Sequence, residues 1–521
     1  MAAPAPARVG ADTPTSDFSP MSGAPLWFAG GLLAISNFVV VLDMTITNVS
    51  VPNIAGGLAV SPSQGTWVIT SYAVAEAIMV PLSGWLAQRF GAVRLFVAAM
   101  IGFGVCSALC GFAPSLGFLV LFRVLQGVCG GPMMPLSQTL LRRIFPPRQQ
   151  SAALGLWAMT TVVAPIVGPL LGGALVDGVG WPWIFFINVP VAIAVAILVW
   201  RNLAKHETAT HRIPVDFTGL ALLITWVGAL QIMLDKGKDL DWFDSPFIIT
   251  LAVIALVGFI SFLIWELTDA HPVVDLRVFR HRGFAAAAVV MSIAFGAFFS
   301  TVVLVPLWLQ INLGYTATWA GRATAFTGIF AVIMSPIVAR MTVTRDSRYL
   351  VTIGMVVFGL ATLWRSTFTT DTDFLRIVWP QLAQGFAMPF FFIPLMSVAL
   401  GSVLPRETTS AAGLLTFMRS TSAAFATSIT TTKWEDIADA RRVDLAGSLN
   451  GAQAMLDTLM RAGSTAGQAL RQLDALVQNQ AVMLATDRVF FVTAFVFVLA
   501  AAAIWIAPRG QRAAVPAGGG H

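Results

Sequence analysis

The chain is predicted to be an all-α polytopic membrane protein of fourteen transmembrane helices, arranged as two six-helix bundles plus an inserted helix pair. Three observations predict this. Of the 521 residues, 57% are hydrophobic and only 11% are charged, where a soluble domain carries about 25%. The apolar residues come in runs near the ~20 that a helix needs to cross hydrocarbon. Motifs of the first half recur in the second. A mean hydropathy of +0.79 makes lipid the main solvent, which excludes an ordinary soluble enzyme and a disordered chain. Barrel strands would alternate in polarity over ~10 residues, and these runs do not.

Residues 1–25 are rich in Ala, Pro, Ser and Thr, contain no apolar run and read as a disordered tail. Spans follow at 26–50, 66–84, 94–113, 116–137, 152–175, 183–200, 217–234 and 247–266. Six more lie at 284–309, 319–339, 349–368, 377–402, 410–431 and 489–507. An even number puts both ends on one side. The loops of that side hold Arg89, Arg94, Arg142, Arg143, Arg148, Arg201, Lys205, Arg277, Arg280, Arg340 and Arg406. The opposite short loops hold only Lys236, Lys238 and Arg376 as bases, with Asp235, Asp239, Asp241 and Asp244 among their acids. The positive-inside rule then makes both termini cytoplasmic. The isoelectric point of about 9.7 therefore reads as topology and not as nucleic-acid binding. Trp67, Trp181, Trp242 and Trp319 fall at outer span ends, as an aromatic belt would.

The repeat organises these spans. Gln126-Gly127 recurs as Gln384-Gly385, and Pro147-Arg148 with Ser151-Ala152-Ala153 recurs as Pro405-Arg406 with Ser410-Ala411-Ala412. Thr66-Trp67 recurs as Thr318-Trp319. Spans 1–6 (residues 26–203) thus pair with spans 9–14 (residues 284–508) in the same orientation. Residues 204–283 hold the inserted pair, and 509–521 form a second tail. Two parallel halves are the plan of a rocker-type transporter with its substrate site between them. Residues 432–487, between the last two spans, are polar and predict one or two amphipathic helices outside the membrane. Their apolar positions are Leu470, Leu473, Val477 and Leu484. They read as a cap over the outer mouth or as a docking surface.

Asp43, Glu76 and Arg123 lie well inside spans 1, 2 and 4. Each costs ~2.5–3.5 kcal/mol at mid-bilayer on insertion scales, so each should face a cavity or a partner. Burial raises a carboxyl pKa and a nearby Arg lowers it, so a carboxyl between the two can load and release a proton. Asp43 reads as a proton or substrate group, or as one member of a fixed pair with Arg123. Glu76 reads as a second proton group or as a protonated helix tie. Arg322 and Arg419 are structural or face the cavity. Span 5 carries two prolines and three glycines between Ala164 and Gly173 (Pro165, Gly168, Pro169, Gly172, Gly173), a hinge or a close packing seam. Candidate cavity aromatics and methionine are Phe295, Phe298, Phe299, Met388, Phe390, Phe391 and Phe392. Cys106, Cys110 and Cys129 sit in apolar stretches, where small core packing is the simplest role. The histidines, His206, His211, His271, His281 and His521, lie in loops or a tail, so no metal or nucleophile–base constellation forms along the sequence. No Gly-rich phosphate loop is present, so ATP is not the direct energy source. A non-transporting receptor or scaffold has no use for costly intramembrane acids.

These residues resemble motifs of the major facilitator superfamily, and in particular its fourteen-span drug:proton antiporters. Leu42 to Val49, around Asp43, is similar to that family's span-1 signature. Gly84-Trp85-Leu86-Ala87-Gln88-Arg89-Phe90-Gly91, with Arg94, is similar to the loop motif between spans 2 and 3. Leu119 to Arg123 with Gln126-Gly127 is similar to the span-4 motif, and Gly168-Pro169 with Gly172-Gly173 to the span-5 antiporter motif. The loop motif usually carries an Asp where Gln88 stands, and its charge-relay latch is thereby in doubt. The resemblance implies a proton-driven exporter of amphipathic drugs and toxic organic compounds, coupled through Asp43, Glu76 and Arg123. The energy source would be the proton gradient, with no cofactor, in a cell inner membrane. It also implies a periplasmic adaptor and an outer-membrane channel as partners, which favours docking for residues 432–487. Lipid or fatty-acid export by the same fold is the alternative.

Overall fold

The computed structural model describes residues 21–506, apart from residues 61, 211–213, 271, 316, 449 and 450. The two predicted tails, 1–25 up to residue 20 and 509–521, lie outside the described residues, as do His211, His271 and His521.

Fourteen long helices carry the fourteen predicted spans. They are α1 (Gly23–Gly57), α2 (Trp67–Phe90), α3 (Ala92–Gly111), α4 (Leu116–Gly130 continued as Met133–Ile144), α5 (Pro147–Gly178), α6 (Asn188–Leu203, entered by the turn Trp183–Phe186) and α7 (Phe217–Lys236). The rest are α8 (Pro246–Thr268), α9 (Arg282–Ile311), α10 (Ala317–Thr344), α11 (Ser347–Arg365), α12 (Phe374–Gly401), α13 (Thr408–Gly447) and α14 (Ala466–Ala503). No strand occurs among the described residues. Twelve of the helices are long and apolar enough to cross a membrane by length and composition. Of the other two, α13 is diluted by Ser and Thr, and several side chains of α5 lie outside the described residues.

Local chemistry sets several helix ends. Asp216 caps α7 by accepting from Gly219 N at 2.8 Å, and Asp346 caps α11 by accepting from Arg348 N at 3.0 Å. Each satisfies an orphan first-turn donor. Helix α4 breaks at Gly131-Pro132, where proline lacks the N–H that would continue the ladder. The polar stretch 432–487 differs from its prediction. Most of it continues α13 to Gly447 and begins α14 at Ala466, with the short helix Ala452–Arg461 between them. Ala, Arg, Leu and Gln sustain a helix in water as well as in lipid, so hydropathy marked where the membrane ends and not where the helices do. At 1.5 Å per residue, the 40 residues of α13 span about 60 Å, roughly twice a bilayer core. Trp434 Nε1 to Thr486 Oγ1 at 2.8 Å and Arg442 to Asp474 at 2.7 Å tie the two extensions together. Leu473 is buried between them, while Leu470 and Leu484 are exposed.

Helix pairing repeats between the halves. In the first, α1 packs on α5, α2 on α4, α3 on α6 and α1 on α6; in the second, α9 packs on α13, α10 on α12, α11 on α14 and α9 on α14. The halves meet through α5 against α10 and α2 against α13, which are themselves related by the repeat. The α7–α8 pair rests on the α2–α13 seam. Lys236 Nζ donates to Thr66 at 2.7 Å, Thr70 donates to Asp235, Ser428 donates to Leu234 O at 2.7 Å, and Trp242 Nε1 donates to Thr432 at 2.9 Å.

The seam is closed at the face where α1 begins and α14 ends. A Cβ on Gly413 would stand 2.8 Å from Ser83 Oγ and 2.9 Å from Val80 O, and one on Gly84 would stand 2.8 Å from Ser410 Cα. Ser151 and Ser397 hydroxyls lie 3.4 Å apart across the α5–α12 contact. Gly413→Val is therefore expected to prop the two halves apart at this face, since backbone atoms have nowhere to retreat. Spin labels at positions 151 and 397 should report a longer distance than in the unsubstituted protein, together with loss of transport. An unchanged distance would show that the contact is not what closes the seam.

Candidate functional site

The charged centre forms where α1, α4 and α6 converge. Asp43 and Arg123 are each 1% exposed and pair at 2.6 Å between Oδ2 and Nη1. The other carboxylate oxygen is engaged as well. Gln126 Nε2 donates to Asp43 Oδ1 at 3.1 Å and Asn188 Nδ2 donates to the same oxygen at 2.8 Å. Arg123 donates through Nε to Val68 O at 3.0 Å and through Nη1 to Gln126 Oε1 at 2.9 Å. Its guanidinium lies 4.3 Å from the centre of the Tyr72 ring. Asn188 also donates to Ser107, whose hydroxyl donates to Phe185 O at 2.8 Å. A buried pair is tolerable only when the remaining donors and acceptors are met in this way.

Glu76 differs from Asp43. It lies one helix turn from Tyr72 on α2, is partly exposed, and is in none of the ion pairs among the described residues. Glycines bring α4 against it: a Cβ on Gly127 would stand 3.1 Å from Glu76 N, and one on Gly131 would stand 2.9 Å from Glu76 O. The sequence placed Gln126-Gly127 in a conformational motif, and here Gln126 orients Asp43 while Gly127 allows the approach of α2.

The second cluster lies at the seam. Arg419 of α13 is 3% exposed and stands 4.9 Å from the Phe295 ring centre and 5.6 Å from those of Phe392 and Trp157. Trp157 and Phe392 stack across the halves with centres 6.4 Å apart, and Trp157 Nε1 donates to Ser137 at 2.8 Å. Of the predicted cavity residues, Phe295 and Phe392 join this cluster, with Phe299 beside Phe295 at 4.9 Å. Phe298 and Phe391 turn instead into the second half against Phe358, Phe390 packs on Phe386 and Gly354, and Met388 is buried. A helix presents neighbouring residues to different faces, so the run Phe390–Phe392 could not all line one cavity. Arg322 is exposed and lies 4.9 Å from the Trp319 ring centre.

Both glycine motifs act by contact. A Cβ on Gly172 would stand 3.5 Å from Ile46 Cγ2, and Gly168 approaches Thr45, so these two glycines let α5 lie on α1 beside Asp43. Gly173 has open space around it. The side chains of Pro165 and Pro169 lie outside the described residues. In the loop motif, Gly91 adopts φ +90° between α2 and α3, a conformation that favours glycine. Arg89 lies 5.5 Å from the Trp85 ring centre. Position 88 carries no acid, and the carboxylate at the start of α3 comes from the segment after α6. Glu207 accepts from Val93 N at 2.9 Å and Arg94 N at 2.8 Å, at the N-terminus of α3. A second loop acid, Glu407 before α13, is held by Arg280 at 2.5 Å and His281 at 2.8 Å. Burial raises that carboxyl, but the His281 and Leu404 hydrogen bonds and the Arg280 charge outweigh it and hold Glu407 below the ordinary carboxylate range. Asn188, Ser107, Trp157, Glu207 and Glu407 were not singled out from the sequence. Asn188 left a signal, as the one amide in the apolar stretch 183–200.

Residues 33–427 match the profile of the Major Facilitator Superfamily. The chain belongs to that superfamily. Among superfamily relatives, Multidrug export protein EmrB of Escherichia coli (strain K12) is 44% identical over 507 residues, 96% of this chain and 99% of the relative. Fatty acid resistance protein FarB of Neisseria gonorrhoeae is 42% identical over 509 residues, 97% and 100% of the two chains. Two solved structures share the fold. The human organic anion transporter MFSD10 has a TM-score of 0.55 at 13% identity, covering 91% of this chain and 98% of its own. An inward-facing bacterial homologue of the lysosomal transporter Spinster has a TM-score of 0.51 at 16% identity, covering 93% and 98%. The chain is thus a multi-pass membrane transporter of this superfamily and not an enzyme.

Proposed function

We propose that the protein is a proton-driven antiporter that exports amphipathic drugs and toxic organic compounds across the cell inner membrane, with both termini cytoplasmic. The observation that carries this reading is the pairing of two unlike carboxyls: Asp43 locked to Arg123, and Glu76 one turn along α2 from the Tyr72 ring that Arg123 covers, in none of the ion pairs among the described residues. A proton on Glu76 changes the charge beside the pair, and so the balance between states that face opposite sides. Substrate entering at Arg419, Trp157, Phe295 and Phe392 changes the same balance. Two ligands that favour opposite states oppose each other's binding, which is antiport by linkage. The 44% identity to a protein named for multidrug export supports the cargo class. In everted proteoliposomes, an acid lumen is expected to drive accumulation of a hydrophobic cation, and collapse of the gradient to stop it. Accumulation indifferent to the gradient would overturn the reading.

A second cargo reading, fatty-acid or lipid export, has its own support. A groove of about 570 Å³ runs between α2, α4 and α7, lined by Val74, Ile78, Leu82, Val124, Ile224 and Ile232 among others, all apolar but for Ser71. A relative at 42% identity is named for fatty acid resistance. Uptake of a medium-chain fatty acid in place of the cation in the same vesicles separates the two cargoes.

The extensions of α13 and α14 suit an EmrA-type periplasmic adaptor (a membrane fusion protein) and, through it, an outer-membrane channel. Their exposed charges and the exposed Leu470 and Leu484 offer a mixed docking surface. Deletion of 440–480 is expected to spare vesicle transport and to lose co-purification of the adaptor. An unchanged pull-down would remove the docking role.

A further inference from the structure

The repeat carries the charged centre of the first half onto a differently charged counterpart in the second. At the offset that takes Gln126 to Gln384, 258 residues, Arg123 falls on Gln381, Asp43 on Thr301 and Ser107 on Arg365. The counterpart residues are again joined. Gln384 Nε2 donates to Thr301 Oγ1 at 3.1 Å, as Gln126 Nε2 does to Asp43 Oδ1 at 3.1 Å. Arg365 donates through Nη2 to Gln381 Oε1 at 3.0 Å and to Gln384 Oε1. Thr327 donates to Gln381 Oε1 at 2.8 Å, and the Arg365 guanidinium lies 6.0 Å from the Phe490 ring centre.

The charge balance is what differs. In the first half a carboxylate neutralises the guanidinium. In the second, the acid position is a threonine and the cation stands on the neighbouring helix. Arg365 is 1% exposed, its contacts are all to neutral groups, and its Nη1 is buried without a hydrogen-bond partner. A guanidinium stays protonated in proteins, and an unpaired buried charge is strongly unfavourable. A guanidinium buried opposite a threonine and not a carboxylate is left without a counter-charge, which an anion would supply.

We propose that Arg365, framed by Gln381, Gln384 and Thr301, binds a small monovalent anion in the second half. The anion takes the Nη1 donors that no protein group uses, and occupies the electrostatic role that Asp43 fills in the first half. Its chemistry is that of a single-charge acceptor small enough for a buried site, either a halide from solution or the carboxylate of an acidic cargo. The first half thus has a fixed counter-ion and the second an exchangeable one.

Thermal unfolding of the purified full-length protein tests this, at constant ionic strength, with gluconate replaced stepwise by chloride or by acetate. A saturable rise in Tm with chloride identifies a halide site, and one with acetate alone identifies a carboxylate site; both support the proposal. Arg365→Gln is expected to weaken the apparent affinity by roughly tenfold or more, because charge-assisted bonds to the anion are lost. Thr301→Asp guards against an Arg365 variant that fails to fold. It supplies a built-in counter-ion, and is expected to raise Tm in gluconate and to abolish the anion dependence. Absence of a saturable anion effect in the unsubstituted protein overturns the proposal. So does an anion effect that is equal in Thr301→Asp and in the unsubstituted protein.

Discussion

Asp43→Asn is expected to destabilise the protein by about 3–5 kcal/mol, the cost of leaving one member of a buried ion pair without its partner. Arg123 would keep its bonds to Val68 O and Gln126 Oε1 but lose its only carboxylate. The new amide has a single oxygen, so it can accept from Arg123 or from Gln126 and Asn188, which now use different oxygens, but not from both sets. The loss should be read as a fall in Tm in detergent, and as failure to drive substrate uphill in vesicles. Asp43→Asn combined with Arg123→Met removes both charges and should recover much of the Tm, because an apolar replacement of a buried pair is often neutral. Recovery of Tm without recovery of transport would assign the pair a role in coupling beyond tying helices together. Recovery of both would leave the pair as a structural tie only.

Glu76→Gln is expected to leave Tm nearly unchanged and to abolish gradient-driven accumulation. Its carboxyl makes no ion pair among the described residues, so the amide is close to isosteric and leaves no charge behind. The effect belongs to energetics. A coupling free energy of 1–3 kcal/mol, roughly 5–150-fold in affinity, disappears when the group can no longer exchange a proton. Downhill exchange of labelled for unlabelled substrate should persist in the variant, because rocking of the halves needs no net proton movement. Loss of both exchange and accumulation would place Glu76 in substrate binding or in the packing of α2 on α4.

Much of this architecture was legible in the sequence because lipid imposes a strong, one-dimensional signal. Hydropathy found the helices, and α13 was found although Ser and Thr dilute it. Arg positions in short loops predicted a common side for both ends. The Asp43–Arg123 pair was foreseen as one of two readings, because an ionisable residue in a span needs a partner and few were available. Three-dimensional detail was not legible. Asn188 reaches Asp43 across 145 residues and Glu407 reaches Arg280 across 127, distances at which composition says nothing about contact. Trp157 looked like one more aromatic in an apolar span, and only the seam against Phe392 and Arg419 distinguishes it. Phe298 and Phe391 pack against Phe358, and residue type does not tell a cavity wall from the interior of a bundle. The extensions of α13 and α14 were hidden because hydropathy falls at the membrane surface even where the helix runs on.

Proton release on substrate binding tests the central claim most directly. Purified protein in weakly buffered detergent solution, near neutral pH, is mixed with a hydrophobic cation while a pH indicator is read. Linkage predicts a stoichiometric release of protons that saturates with substrate, and that is absent in Glu76→Gln although the variant still binds. Binding without proton release in the unsubstituted protein, or equal release in Glu76→Gln, would contradict it.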